Sequence, residues 1–100
     1  MRGVTYFVLM RRRGPDWDAD KPMEQQTLWD EHATFMDGLV DTGFVVLGGP
    51  LADDHRVVLV IDAPSEDAVH AALAVDPWAG SHLVIDSVDE WTIRLDGRNR

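Results

Sequence analysis

Hydrophobic positions along the chain fall into short runs whose spacing alternates between the strand period and the helix period. The run "VTYFVLM" is rich in β-branched and aromatic residues and ends in charge, which predicts a first strand from about Val4 to Arg11. The pattern then breaks. "RRGPDWDADKPMEQQ" carries Pro15, Pro22, Gly14 and scattered acids without a period, so it reads as a loop of 15 residues, longer than ordinary connections. Thr27 followed by Asp30 resembles a capping box, with Asp in place of the usual Glu, opening a helix. Its inward stripe is Leu28, His32, Phe35, Met36, Leu39 and Val40, and Gly43 supplies the stop.

"FVVLGGPL" and "RVVLVID" are two apolar runs joined through Ala52 to His55, the signature of a β-hairpin. Ser65 is placed as the N-cap of a second helix, with Glu66 and Asp67 favourable in its first turn. The buried stripe of that helix is Val69, Ala72 and Leu73, continuing to Asp76, and Pro77 ends it. "HLVIDSVDEWTIRL" predicts a last strand, followed by a charged tail. The order strand, helix, strand, strand, helix, strand is the split βαβ arrangement of the ferredoxin-like fold. In this α+β architecture two helices cover one face of a four-stranded antiparallel sheet, and residues 1–100 form one domain.

The bare face of that sheet decides the assembly. A face open to water requires alternation of apolar and polar residues, yet "YFVLM", "FVVL" and "VVLVI" are apolar in both phases. No further element is left to cover it, so the expected cover is a second copy packed sheet to sheet as a homodimer.

Composition narrows the function class. There is no cysteine, hence no disulfide framework, thiolate nucleophile or cysteine metal cluster. The first apolar run is too short for a signal peptide and is followed by the basic cluster Arg11 to Arg13 with no small-residue cleavage pattern, and no run approaches a membrane span, so the cytoplasm is the expected compartment. A net charge of −9 repels a phosphate backbone, which argues against nucleic acid. "GFVVLGGPL" has no Gly-x-Gly-x-x-Gly and precedes a hairpin, so no nucleotide cofactor is expected. His55 and His82 fall near the same end as His32 and with it could in principle bind zinc, but there is no close-spaced ligand pair of the His-Glu-x-x-His kind, so no metal is expected. His70 reads as a surface residue, and Trp78 and Trp91 as core.

Chain direction gathers the unusual features at one end of the domain. The start of the first helix with His32, the "GGPL" after the second strand, the end of the second helix with Asp76, and both ends of the long loop all fall there. Asp76 at a helix C-terminus meets the partial negative charge of free carbonyls and therefore seeks a donor. His32 is a suitable one: a carboxylate on one ring nitrogen fixes the tautomer and prepares the other for acid–base work. The alternative is a core histidine satisfied by a helix-capping aspartate, and spacing leaves both open. Gly48, Gly49 and Pro50 are expected to form an adjacent wall allowing close approach of a ligand. Trp17 in the polar loop is the candidate to close over an apolar small organic ligand, the loop acting as a lid. Arg11, first of three consecutive arginines, is the candidate to attract an anionic substrate.

"YFVLMRRRGPDW", "WDEHATFMDGLV", "GFVVLGGPL" and "DPWAGSHLV" together resemble the YCII-related (YciI-like) proteins, over nearly the whole chain. The resemblance implies a dimeric α+β barrel with a pocket between helices and sheet, a His–Asp pair at His32 and Asp76, and small-molecule chemistry of unspecified kind. Two functions remain on these grounds. One is a cofactor-free enzyme of lyase, isomerase or hydrolase type using His32 and Asp76; the other is a non-catalytic dimeric ligand-binding or assembly module in which the pair is structural.

Overall fold

A computed structural model describes residues 4–98 of the chain. Six elements follow in the expected order: β1 (Val4–Arg13), α1 (Trp29–Asp41), β2 (Val45–Pro50), β3 (Arg56–Ile61), α2 (Glu66–Leu73) and β4 (Leu83–Ile93), with a 3-10 turn over Met23–Gln25 inside the long loop. The four strands form one antiparallel sheet in the order β2-β3-β1-β4. The α+β, ferredoxin-like reading of the sequence is therefore the architecture observed.

The pleat sorts the side chains. Phe7 and Leu9 of β1, Leu59 and Ile61 of β3 and Val45 of β2 point to one face, where Val69 and Leu73 of α2 close over them. Phe35, Met36 and Leu39 of α1 pack against the same cluster. Burial of these residues supplies the main stabilising term, about 1.5–3 kcal/mol for each large apolar side chain removed from water. Opposite them, Tyr6, Val8, Met10, Val58 and Val60 lie only partly covered, and Leu47 and Trp91 are about half exposed, at 54% and 47%. Trp91 is thus not a core residue of this chain; it pairs across from Tyr6 on the open face.

Local chemistry explains where the elements end. Gly43 takes φ of 80° and its amide bonds the Val40 carbonyl at 3.0 Å, which closes α1 with a left-handed residue that glycine adopts without steric cost. Ser65 accepts a 3.1 Å bond from the Ala68 amide and caps α2. In the β2–β3 turn the Asp53 carboxylate receives the His55 and Arg56 amides and the Arg56 Nε. Those bonds, the His55 amide foremost, pull the Asp53 pKa down to about 2.

Two boundaries depart from the sequence reading. Thr27 is not the cap of α1. Its hydroxyl is engaged with His82 Nε2 at 2.8 Å and its carbonyl receives the Trp78 indole N–H at 2.8 Å, so the helix begins two residues later behind Leu28, whose φ is 63°. Leu28 is consequently half exposed rather than part of the inward stripe, and Val40 is exposed as well. The second helix is shorter than its apolar pattern suggests: it ends at Leu73, and Asp76 lies in the turn beyond it. The residue before a proline is driven away from helical geometry, which accounts for the early exit before Pro77.

Candidate functional site

Asp76 is the hinge of the candidate site, and it is held from four directions. Its amide bonds the Leu73 carbonyl and its carbonyl receives the Ala79 amide, fixing a turn directly after α2. One carboxylate oxygen, Oδ1, accepts the Trp78 amide at 2.9 Å and the His32 ring nitrogen Nδ1 at 2.8 Å. The other, Oδ2, accepts Nη1 of Arg11 at 2.9 Å. The Asp76 side chain is wholly enclosed, and those of Arg11 and His32 keep 4% and 8% of their exposure. Burial alone raises a carboxyl pKa, yet the bonds from His32, the Trp78 amide and Arg11 outweigh it and hold Asp76 below the ordinary carboxylate range. Burial in turn lowers the Arg11 pKa, opposed by the bond and charge of Asp76. The helix-terminus argument for Asp76 is replaced by a simpler one: a buried carboxylate provided with a full set of donors.

His32 lies in the first turn of α1 and is the one fully buried residue of that helix. Because an ionised carboxylate only accepts, Nδ1 carries the proton and donates to Asp76, which leaves Nε2 as the acceptor of the neutral ring. Among the described residues Nε2 has no hydrogen-bond partner. The ring lies flat against Trp78, 3.9 Å between centroids at an interplanar angle of 10°.

Trp78 organises the surroundings. It is fully buried, carries the His82 ring nearly parallel at 5.1 Å, and meets Trp29 and Trp17 at 5.7 and 5.6 Å. His82 bonds Thr27 Oγ1 with one nitrogen and Ser81 Oγ with the other. The loop between β1 and α1 is tied down by Gln26, whose buried amide group donates to the carbonyls of Asp18 and Lys21 and accepts the Asp18 amide.

The other candidates from the sequence fall into place around this network, not all beside it. Arg11 does not stand at an open mouth. It is 3% exposed, spends its charge on Asp76, places Nη2 3.7 Å from Met36 Sδ, and borders an apolar cavity of about 320 Å³ between α2 and β4. Trp17 and Pro50 do share a cavity, of about 350 Å³, which His55 also lines; neither His32 nor Asp76 lines it. Gly48 and Gly49 lie within edge strand β2, paired opposite Leu59 and Val58, and line neither cavity. A Cβ at Gly48 meets the Leu59 side chain, so that glycine serves strand packing. His70 is exposed near Glu66, as expected of a surface residue. Among the described residues no three His, Asp or Glu side chains form a metal-holding group, and no helix is long and apolar enough to cross a membrane.

Sequence reasoning missed Trp78 as a partner of His32, His82 and Thr27 as its neighbours, and Arg13 as a cavity residue. The "DPW" triplet was the available signal: an acid before Pro-Trp places its carboxylate on the tryptophan amide and the indole beside it.

The family model described as the YCII-related domain matches residues 5–92. Among solved structures, the fold is similar to that of a 5-chloro-2-hydroxyhydroquinone dehydrochlorinase from Burkholderia phenoliruptrix AC1100, in complex with 2,5-dihydroxybenzoquinone. The two share 21% sequence identity at a TM-score of 0.51, over 94% of this chain and 99% of that one. No curated protein matches the chain.

Proposed function

The chain belongs to the YCII-related domain family, and from that premise we propose that it binds a small organic molecule and transforms it by cofactor-free acid–base chemistry, with His32 as the acid or base and Asp76 orienting it. The observation that carries the reading is the 2.8 Å bond from His32 Nδ1 to a carboxylate itself locked by Arg11 and the Trp78 amide, with the second ring nitrogen left without a protein partner among the described residues. A proton taken up at Nε2 produces an imidazolium whose charge faces Asp76, and release of the proton restores the starting tautomer. The chemistry supported is proton transfer in a lyase, isomerase or hydrolase type of step; the pair supplies no covalent nucleophile. The active form is a cytoplasmic homodimer joined through the open sheet face, where Tyr6, Val8, Met10 and Trp91 await cover.

A second reading has a specific observation in its favour. Neither the cavity at Trp17 nor the one at Arg11 is lined by His32, and the Arg11–Asp76–His32 chain is more than nine-tenths buried, as a structural clasp between β1, α1 and the turn after α2 is. In that case the protein is a ligand-binding or assembly module and the pair only stabilises it.

His32→Asn separates the two. Small hydroxylated aromatics, beginning with the chlorinated hydroxyhydroquinone on which the structural neighbour acts, are followed by absorbance and chloride release with the wild type and the variant. The catalytic reading expects turnover that falls by about 10²-fold or more in the variant while the melting temperature moves only a few degrees. Turnover that survives His32→Asn, or a variant that loses its fold, supports the structural clasp instead.

A further inference from the structure

The cavity over the end of the sheet presents a feature that the His32–Asp76 pair does not explain. It is bounded by the ends of all four strands, through Arg13, Pro50, Val57 and Leu83, and roofed by the long loop. At about 350 Å³ it has the size of a small-molecule site. Two residues that line it each carry an enclosed donor without an acceptor among the described residues, Arg13 Nε and the Trp17 indole Nε1. Buried donors are nearly always paired, so two unpartnered donors on residues of one cavity leave room there for an acceptor brought from outside.

Charge points the same way. Arg13 forms no ion pair with any described residue, in a chain with 18 acids against 9 bases. Its guanidinium instead lies over the Trp17 ring, 4.9 Å from the centroid, which presets its orientation. Lys21 adds a second cation whose contact with Asp18 is long, at 3.9 Å. Glu24 and Asp54 also line the cavity, so its formal charges balance; that balance disfavours a dianion such as phosphate while leaving the arginine wall available to one negative charge. Apart from His55, the remaining surface is apolar, from Pro22, Met23, Pro50, Val57 and Leu83.

We propose that this cavity is a binding site for a small monocarboxylate with an apolar, preferably aromatic, body. The carboxylate is held by Arg13 and Lys21 and takes the Trp17 indole N–H after a small turn of the ring, while the body lies against the prolines and Leu83. The site is separate from the His32–Asp76 pair, since neither residue lines it, and it stands whether or not that pair is catalytic.

Benzoate is the probe, with benzamide and inorganic phosphate as controls, and the readout is the indole region of the proton–nitrogen NMR spectrum. The chain has four tryptophans, so Trp17→Phe assigns the Trp17 indole signal by its loss. Benzoate is expected to shift that signal saturably, and benzamide and phosphate not to. Arg13→Gln and, because Lys21 is exposed and safe for folding, Lys21→Gln are each expected to weaken benzoate, the former by at least about tenfold. His32→Asn should leave the titration unchanged, which keeps a failure here distinct from a failure of the catalytic reading. Absence of a saturable shift, an equal response to benzamide, or benzoate affinity indifferent to both Arg13→Gln and Lys21→Gln overturns the proposal.

Discussion

Replacing Asp76 by alanine tests the buried network at its centre. The substitution removes the acceptor of three bonds at once: Arg11 Nη1, His32 Nδ1 and the Trp78 amide. The largest cost is the arginine, whose side chain keeps only 4% of its exposure and has no other carboxylate within ion-pair distance among the described residues. Leaving one partner of a buried ion pair uncompensated costs about 3–5 kcal/mol. The other two donors each add up to about 1–3 kcal/mol where water fails to reach them. Partial filling of the space by water and rotation of the imidazole offset some of that, so about 4 kcal/mol is the expected loss. For a domain of this size it corresponds to a fall in melting temperature of about 15–30 °C. Urea unfolding followed by tryptophan fluorescence, at one fixed protein concentration, measures the shift in midpoint against an unchanged slope. The companion variant is Arg11→Met with Asp76→Leu, which removes charge and counter-charge together and is expected to recover at least about 2 kcal/mol relative to Asp76→Ala. A loss under about 1 kcal/mol for Asp76→Ala, or a double variant no more stable than the single one, would falsify the claim that Asp76 neutralises a buried arginine.

Three further outcomes follow from other parts of the structure. The folded-state pKa of Asp76 is depressed, so the unfolded chain binds a proton that the folded carboxylate refuses; the stabilisation is complete above the ordinary Asp value of about 4 and is lost as pH falls through the lower folded value. Asp53, at about 2, adds to the same acid limb, so the test is the difference in slope between wild type and Asp76→Asn below about pH 4, and equal slopes refute it. The open sheet face predicts a dimer burying well over about 1,000 Å², which light scattering should detect at micromolar concentration and Trp91→Glu should dissociate; a wild-type monomer refutes it. Gly14→Ala is expected to lower stability by about 2 kcal/mol, because the new methyl group strikes the Ser81 carbonyl and displaces the bonds from Gly14 to His82 and from Asp16 to Ser81; an unchanged melting temperature counts against that packing.

Features set by near neighbours were legible in the sequence, and features set by distant ones were legible only in part. Gly43 and Ser65 act within one turn of their own helices, so residue type alone located both termini. Thr27 carries an equally good local cap signal and fails, because Trp78 and His82, more than fifty residues on, claim its carbonyl and hydroxyl. The arginine run shows the same limit from another direction. Pleating sends Arg12 outward, where it meets Asp86, and turns Arg11 and Arg13 to the helix face. Alternation foretells the opposition but not which arginine finds a buried acid. That depended on Asp76 leaving α2 early, which the proline required and the apolar stripe concealed. The coarse topology nevertheless brought His32 and Asp76 to one end of the sheet, and the 2.8 Å bond between them is the contact expected from chain direction.

His82 provides an internal comparison for the question of why a histidine occupies the inward face of α1. Both imidazoles are buried, at 6% and 4% exposure, and both lie nearly parallel to the same indole. They differ in how their nitrogens are used. His82 engages Thr27 with one and Ser81 with the other, two neutral hydroxyls that saturate the ring and offer no charge to stabilise an imidazolium. His32 engages a carboxylate with one nitrogen and, among the described residues, nothing with the other. A histidine needed only for packing and polar satisfaction is adequately built in the manner of His82. The asymmetry of His32, an anion on one side and an acceptor without a partner among the described residues on the other, is the arrangement on which the proposed proton transfer rests. The two rings therefore make matched variants: His82→Asn should disturb the junction of loop and turn without touching turnover, and His32→Asn should do the reverse. Equal effects on stability, with no distinction in turnover, would place both histidines in the scaffold.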